Sequence, residues 1–98
     1  MNPTLASITD AVLADAAQRT GLDRAGLEVE SALAVTWADG SLGCPEPGMN
    51  YTMALVPGYR IRVKAGEQLL DYHASRRGYF VLCPDGRSKD PAELPDTM

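Results

Sequence analysis

The sequence predicts an α+β fold, with one N-terminal helix packed on a small, mostly antiparallel sheet of three to four strands interrupted by a long Gly/Pro-rich loop. Three observations lead there. Residues 4–20 repeat apolar side chains at three-and-four spacing, and from residue 27 the apolar period falls to two. Between two such alternating segments, residues 37–59 crowd three prolines and four glycines into one connection, which marks a built loop.

In the helix, Leu5, Ile8, Val12 and Ala16 form one stripe with Leu13 beside it. Asn2 before Pro3 suits a cap and first-turn proline, and Ser7 with Asp10 offers a second start one turn later. Arg19 in the last turn favours the helix dipole, and Gly21 can take the left-handed conformation that ends a helix. From Leu27 to Trp37, the side chains of Leu27, Val29, Leu33, Val35 and Trp37 share one face that should pack on the helix. Ser31 interrupts that face and marks a bulge or a thin spot. Tyr59, Ile61 and Val63 alternate with Arg60, Arg62 and Lys64, which puts a row of cations on the outer face. A turn at residues 65–67 then leads to Leu70 and Tyr72 on one side and Leu69, Asp71 and His73 on the other. This reads as a hairpin in which Asp71 can face one of the cations. Residues 75–78 are a polar turn, and residues 79–83 are apolar enough for a central or well-covered strand. From Pro84 onward, three prolines and no sustained apolar pattern predict a tail that is mobile or loosely laid on the surface. The expected organisation is one domain over residues 1–83 and a tail over 84–98.

A chain of 98 residues supports a single core. Its hydrophobic content of 45% excludes a largely disordered chain, and a net charge of −4 gives no footing for binding a phosphate backbone. Nucleic acid is therefore not an expected partner. No apolar run reaches the ~20 residues that would span a bilayer, and the first ten residues lack a basic stretch followed by an apolar one. The chain is expected to be a cytoplasmic monomer if Met1 is the native start, or the mature part of an exported protein if its cysteines are joined. A disulfide between Cys44 and Cys83 would close a loop of about 40 residues and contribute about 3–4 kcal/mol.

Two uses of the central loop can be weighed. Cys44, His73 and Asp71 supply the residue types of a nucleophile, a base and an orienting carboxylate. Cys44, however, lies between Gly43 and Pro45, with no helix start to lower its pKa, and Asp71 and His73 fall side by side on one strand face. No catalytic residue is assigned. Two cysteines and one histidine leave a zinc site one ligand short, so no metal or other cofactor is expected. Recognition is the stronger reading. The glycines allow sharp turns, and Pro45, Pro47 and Pro57 limit the entropy lost in holding an extended shape, so residues 48–56 can be presented outward. The alternative is a small structural or accessory domain in which Tyr51, Met53, Leu55 and Val56 fold back on the sheet as a lid.

The run W-A-D-G-S-L-G-C-P-E-P-G-M-N-Y-T, with V-P-G-Y-R-I and the later D-Y-H, resembles a signature of small uncharacterised bacterial domains, often exported proteins or lipoproteins, over roughly residues 27 to 83. That resemblance brings no activity with it. The order of helix, strand, loop and arginine-bearing strand also resembles serine-protease inhibitors of the potato inhibitor I type, through Tyr51-Thr52-Met53 and Arg60-Ile61-Arg62-Val63. It implies Met53 as the primary specificity residue, Thr52 and Ala54 flanking it, Arg60 and Arg62 as struts beneath the loop, and parallel strands on either side. Ala54 departs from the acidic residue usual there, and Pro57-Gly58 changes the register. The expected function is a non-enzymatic binding domain whose partner is a serine protease or another protein.

Overall fold

The computed structural model describes residues 3–92, so Asn2, expected near the helix start, and residues 93–98 of the expected tail lie outside the described residues. Helix α1 runs Leu5–Thr20, beginning between the two predicted starts. Thr4 caps it, its Oγ1 accepting from Ser7 N–H. Gly21 ends the helix at φ 74°, and its N–H donates to Ala17 O. A single 3-10 turn at Arg24–Gly26 leads into β1 (Leu27–Trp37), followed by β2 (Val56–Ala65), β3 (Gln68–Ser75) and β4 (Phe80–Cys83). The sheet order is β1-β2-β3-β4, and every neighbouring pair is antiparallel. The predicted α+β fold is therefore the observed one. The strands on either side of the long loop are antiparallel, so the parallel arrangement implied by the inhibitor resemblance is absent.

One face of the sheet packs on α1. Ile8, Val12, Leu13 and Ala16 meet Ile61, Val63, Ala65, Leu70, Tyr72 and Ala74, with Leu27, Ala32, Tyr59, Phe80 and Leu82 around them. Tyr72 crosses this layer boundary, and its buried hydroxyl donates to Asp15 of the helix at 2.7 Å. Burial, with the Asp15 carboxylate beside it, pushes the phenol well above its ordinary range.

The face expected of β1 is corrected by its bulge. The β1–β2 register slips between Val29 and Ser31, so Val29 opposes Val63 but Ala32, not Ser31 or Leu33, opposes Ile61. One extra residue reverses the phase of everything that follows. Leu33, Val35 and Trp37 consequently leave the helix side for the second face, where Leu33 is 58% exposed while Trp37 is fully buried. Sequence had marked Ser31 as the irregular point without following the reversal to Trp37. Two further expectations change. The last strand is an edge strand, its residues mostly half-buried, with Tyr79 outside it and exposed. Residues 84–92 are laid down by specific bonds: Lys89 N–H donates to Gly43 O and Ala92 N–H to Thr36 O, both at 2.8 Å.

Trp37 organises the second face. Its ring lies across Gly58 to reach β3, where Nε1 donates to Ala74 O at 3.0 Å and the indole stacks on His73 with centroids 4.4 Å apart. A methyl group at Gly58 would meet Ala74 O at 2.0 Å and Trp37 Nε1 at 2.9 Å. Gly43 approaches the same ring from the loop, at φ 71°, with a Cβ position 2.7 Å from Trp37 Cζ3. These two glycines serve close approach to an aromatic ring more than sharp turning. Gly58→Ala is accordingly expected to lower unfolding free energy by about 3 kcal/mol or more. Gly48→Ala, in open space at φ 80°, should cost about 1 kcal/mol. Urea denaturation of both variants checks this, and a Gly58→Ala cost no larger than that of Gly48→Ala would contradict the packing.

Candidate functional site

β2 and β3 place Arg60 opposite His73 and Arg62 opposite Asp71, and β4 places Cys83 opposite Asp71. All of these side chains belong to the face that Trp37 occupies. Arg60 grips Asp71 through both carboxylate oxygens, Nε to Oδ1 at 3.1 Å and Nη2 to Oδ2 at 3.0 Å, and its Nη1 donates to Asp90 at 3.0 Å. Such a fork-on-fork pair is among the stronger charge-assisted contacts available to a protein. Ser88 adds its hydroxyl to Asp71 Oδ2 at 2.7 Å while accepting from Arg60 Nη2 at 3.2 Å. Burial alone would raise the Asp71 pKa. The hydrogen bonds from His73, Arg60 and Ser88 overcome it and hold the carboxyl far below the usual carboxylate range.

His73 is completely buried between Trp37 and the loop. Its Nδ1 lies 2.6 Å from Leu42 O and its Nε2 3.0 Å from Asp71 Oδ2. Carbonyl and carboxylate oxygens only accept, so each contact is made by a ring nitrogen that carries its hydrogen toward that oxygen. Ser88 Oγ also lies 3.2 Å from Nε2. Although serine, histidine and aspartate meet here, the order differs from a nucleophile relay. Asp71 and Ser88 share Nε2, Nδ1 is taken by the loop backbone, and no face of the imidazole reaches solvent. The predicted side-by-side placement of Asp71 and His73 is what the structure shows.

The loop between β1 and β2 divides into a packed part and a presented part. Ser41, Leu42 and Cys44 are buried, and Cys44 is joined to Cys83 across 39 residues of sequence. With its sulfur in a disulfide, Cys44 carries no thiolate. Leu42 has φ 56°, a left-handed conformation costly for a branched side chain. Its surroundings hold it there, since the side chain is buried and the carbonyl accepts from His73. Asp39 braces the turn by accepting from the Ser41 hydroxyl and N–H, which lower its pKa.

Beyond Cys44 the chain turns outward. Tyr51 is half-buried, and its hydroxyl accepts from Glu46 N–H at 3.0 Å; Gly40 N–H donates to Thr52 O at 2.9 Å. Thr52 and Ala54 are exposed, Met53 is 88% exposed and Leu55 57% exposed. Of the residues that sequence singled out, Thr52, Met53 and Ala54 thus stand on the surface together, and Cys44 and Cys83 are paired. Arg60 and Arg62 make no hydrogen bond to residues 52–54 among the described residues. Arg60 acts on the loop at one remove, by fixing Ser88 and Asp90 on either side of Lys89, which bonds to Gly43. Arg62 Nε approaches Asp71 at 3.7 Å and is buried with no hydrogen-bond partner among the described residues. Ser88, Asp90 and the Leu42 carbonyl escaped sequence reasoning. The only hint was a serine between charged residues in a stretch without periodicity. Among the described residues no cluster of potential metal ligands occurs, and no helix is long and apolar enough to cross a membrane.

A disulfide-braced α+β domain with a loop presented beside a buried charge network is the class that this geometry defines. The chain belongs to the family described as a domain of unknown function, DUF8738, which it matches over residues 9–83. That span takes in the last three turns of the helix, the loop and all four strands up to Cys83. No curated protein and no solved structure matches it significantly.

Because the folded-state pKa of Asp71 is depressed, its stabilisation is complete above the unfolded carboxylate value of about 3.9 and is lost as pH falls below it. Asp71→Asn should cost about 3 kcal/mol at neutral pH, since it leaves the buried Arg60 with only the solvent-exposed Asp90 as counter-ion. The variant should also flatten the loss of stability between about pH 5 and pH 2. Chemical denaturation as a function of pH measures both, and an Asp71→Asn profile parallel to wild type would refute the assignment.

Proposed function

We propose that this is a non-enzymatic binding domain that offers residues 49–55 to a protein partner as a preformed loop, with Met53 inserting in the manner of a substrate into an apolar pocket of a serine protease. The observation that carries this reading is Met53 itself. It is an apolar side chain almost wholly in solvent, on a backbone tied at Gly40–Thr52 and at Glu46–Tyr51 and footed on a disulfide. Exposure of that kind costs little in binding entropy when the backbone is already ordered. The support differs from that of the potato inhibitor I type, because the flanking strands are antiparallel and the arginines turn to Asp71. The inhibitor reading therefore rests on the loop and not on a shared scaffold.

The second reading is a small structural or accessory domain; the lid of Tyr51, Met53, Leu55 and Val56 expected with it is not formed, since Met53 and Leu55 stand in solvent, and the buried part of the loop is Ser41, Leu42 and Cys44. Titrating chymotrypsin- and subtilisin-type proteases with the disulfide-intact protein separates the two. The inhibitor reading expects stoichiometric inhibition that weakens at least about 30-fold in Met53→Gly, the ~2 kcal/mol of a central anchor. Rapid cleavage of the loop, or undiminished protease activity at molar excess, would overturn it in favour of the structural or accessory domain.

A further inference from the structure

The chain carries a net charge of −4, yet three of its nine cations, Arg76, Arg77 and Arg87, line clefts beside the presented loop. Arg76 and Arg77 are exposed in the turn between β3 and β4, and neither forms an ion pair among the described residues. This turn is fastened to the end of the loop, with Arg76 N–H donating to Pro57 O at 3.1 Å. Leu55, Val56 and Pro57 face Ser75, Arg76 and Arg77 across a cleft of about 490 Å³.

The loop and the last strand enclose a second, smaller cleft of about 200 Å³, with Met49, Tyr51, Tyr79 and Arg87 among its walls. Arg87 has only a distant counter-ion, Glu46 at 4.0 Å, and its Nε is buried with no hydrogen-bond partner among the described residues. A buried N–H left without an acceptor is a standing cost that an incoming oxygen would remove.

The apolar surface gathers there too. Met49, Met53, Leu55 and Tyr79 are four of the eight large hydrophobic side chains exposed among the described residues, and all four lie on the loop or at the turn beside it. Methionine, tyrosine and arginine are the residue types enriched where proteins meet. Elsewhere a net-negative body repels carboxylates, so three arginines around one apolar patch would set both the position and the register of an acidic partner.

We propose that residues 49–55 and the 76–79 turn form a single docking surface for an acidic segment of a partner protein. Its carboxylates pair with Arg76, Arg77 and Arg87, and an apolar side chain lodges between Tyr51 and Tyr79. This rests on the binding-loop reading above and adds the partner's charge to it.

The test uses the disulfide-intact chain and a fluorescent peptide of about twelve residues in which Glu alternates with Leu and Tyr. A Gln-for-Glu peptide and a single-stranded oligonucleotide of similar length are the competitors. The acidic peptide is expected to bind at least about tenfold tighter than the Gln version, and to weaken about tenfold between about 50 and 300 mM salt. Its binding should also fall about tenfold in the double variant Arg76→Glu/Arg77→Glu. Amide shifts on binding should map to residues 49–55 and 76–79. Equal binding of the Gln peptide, tighter binding of the oligonucleotide, no binding, or indifference to the charge reversal would overturn the proposal. Met53→Gly distinguishes the two readings. If it abolishes peptide binding while the charge reversal is silent, the loop stands and the acidic partner falls. If the charge reversal abolishes binding while Met53→Gly is silent, the acidic surface stands and the anchoring role of Met53 falls. Both substitutions alter exposed side chains, and unchanged thermal midpoints confirm that the fold is retained.

Discussion

A carboxylate removed from water must be given donors, and in this domain Asp71 draws them from three directions: Arg60 on the neighbouring strand, His73 on its own, and Ser88 beyond the end of the sheet. The hydrogen bonds that fasten the loop on the second face follow from satisfying that one group. Bringing Ser88 to Asp71 lays residues 84–92 across the sheet, which places Lys89 against Gly43. Holding His73 against Asp71 leaves its other nitrogen facing the loop, where the Leu42 carbonyl accepts it. The loop is thus hydrogen-bonded to the network from two sides before the Cys44–Cys83 disulfide ties it a third time. A buried ion pair of this sort is weak evidence for stability as such. It fixes where the loop sits, because the alternatives leave charges unpaired.

The two faces of the sheet accordingly do different work. The face against α1 is an apolar core with one polar link, Tyr72 to Asp15. The other face combines an indole, an imidazole, a carboxylate and a guanidinium under a loop only partly apolar. Within that loop, Leu42 is held in a backbone conformation it would not choose alone. Strain of about 1–3 kcal/mol at such a residue persists only where the surroundings over-determine it, and here they do, through the burial of its side chain and the acceptance by its carbonyl. Packing at the foot of the loop leaves Met53 free to stay in solvent.

Much of this was legible in the sequence. The helix stripe from Leu5 to Ala16, the stop at Gly21, the hairpin through Gly66 and the alternation of Arg60 and Arg62 with Ile61 and Val63 are local patterns, and local patterns survive folding. The pairing of two cysteines in a small chain was equally readable. Two kinds of feature were not. The bulge near Ser31 was visible as an interruption, but period two gives no sign of which side Leu33, Val35 and Trp37 take after an inserted residue, and they took the unexpected one. The binding of residues 84–92 depends on single hydrogen bonds from Ser88, Lys89 and Asp90 to distant partners, which leave no periodic trace. Gly43 and Gly58 looked like turn formers because the indole that requires them lies far off in the sequence. The candidate site was half visible: Met53 and its neighbours by composition, the network beneath the loop hardly at all.

The central claim is that residues 49–55 hold one shape in solution because the loop's foot is fixed. Backbone ¹⁵N relaxation on the oxidised protein tests this most directly. Order parameters near the rigid value of about 0.85 across this stretch, falling when Cys44–Cys83 is reduced, are what the account requires. Values below about 0.6 in the intact protein would contradict it, and the loop would then be a mobile chain that happens to carry a methionine.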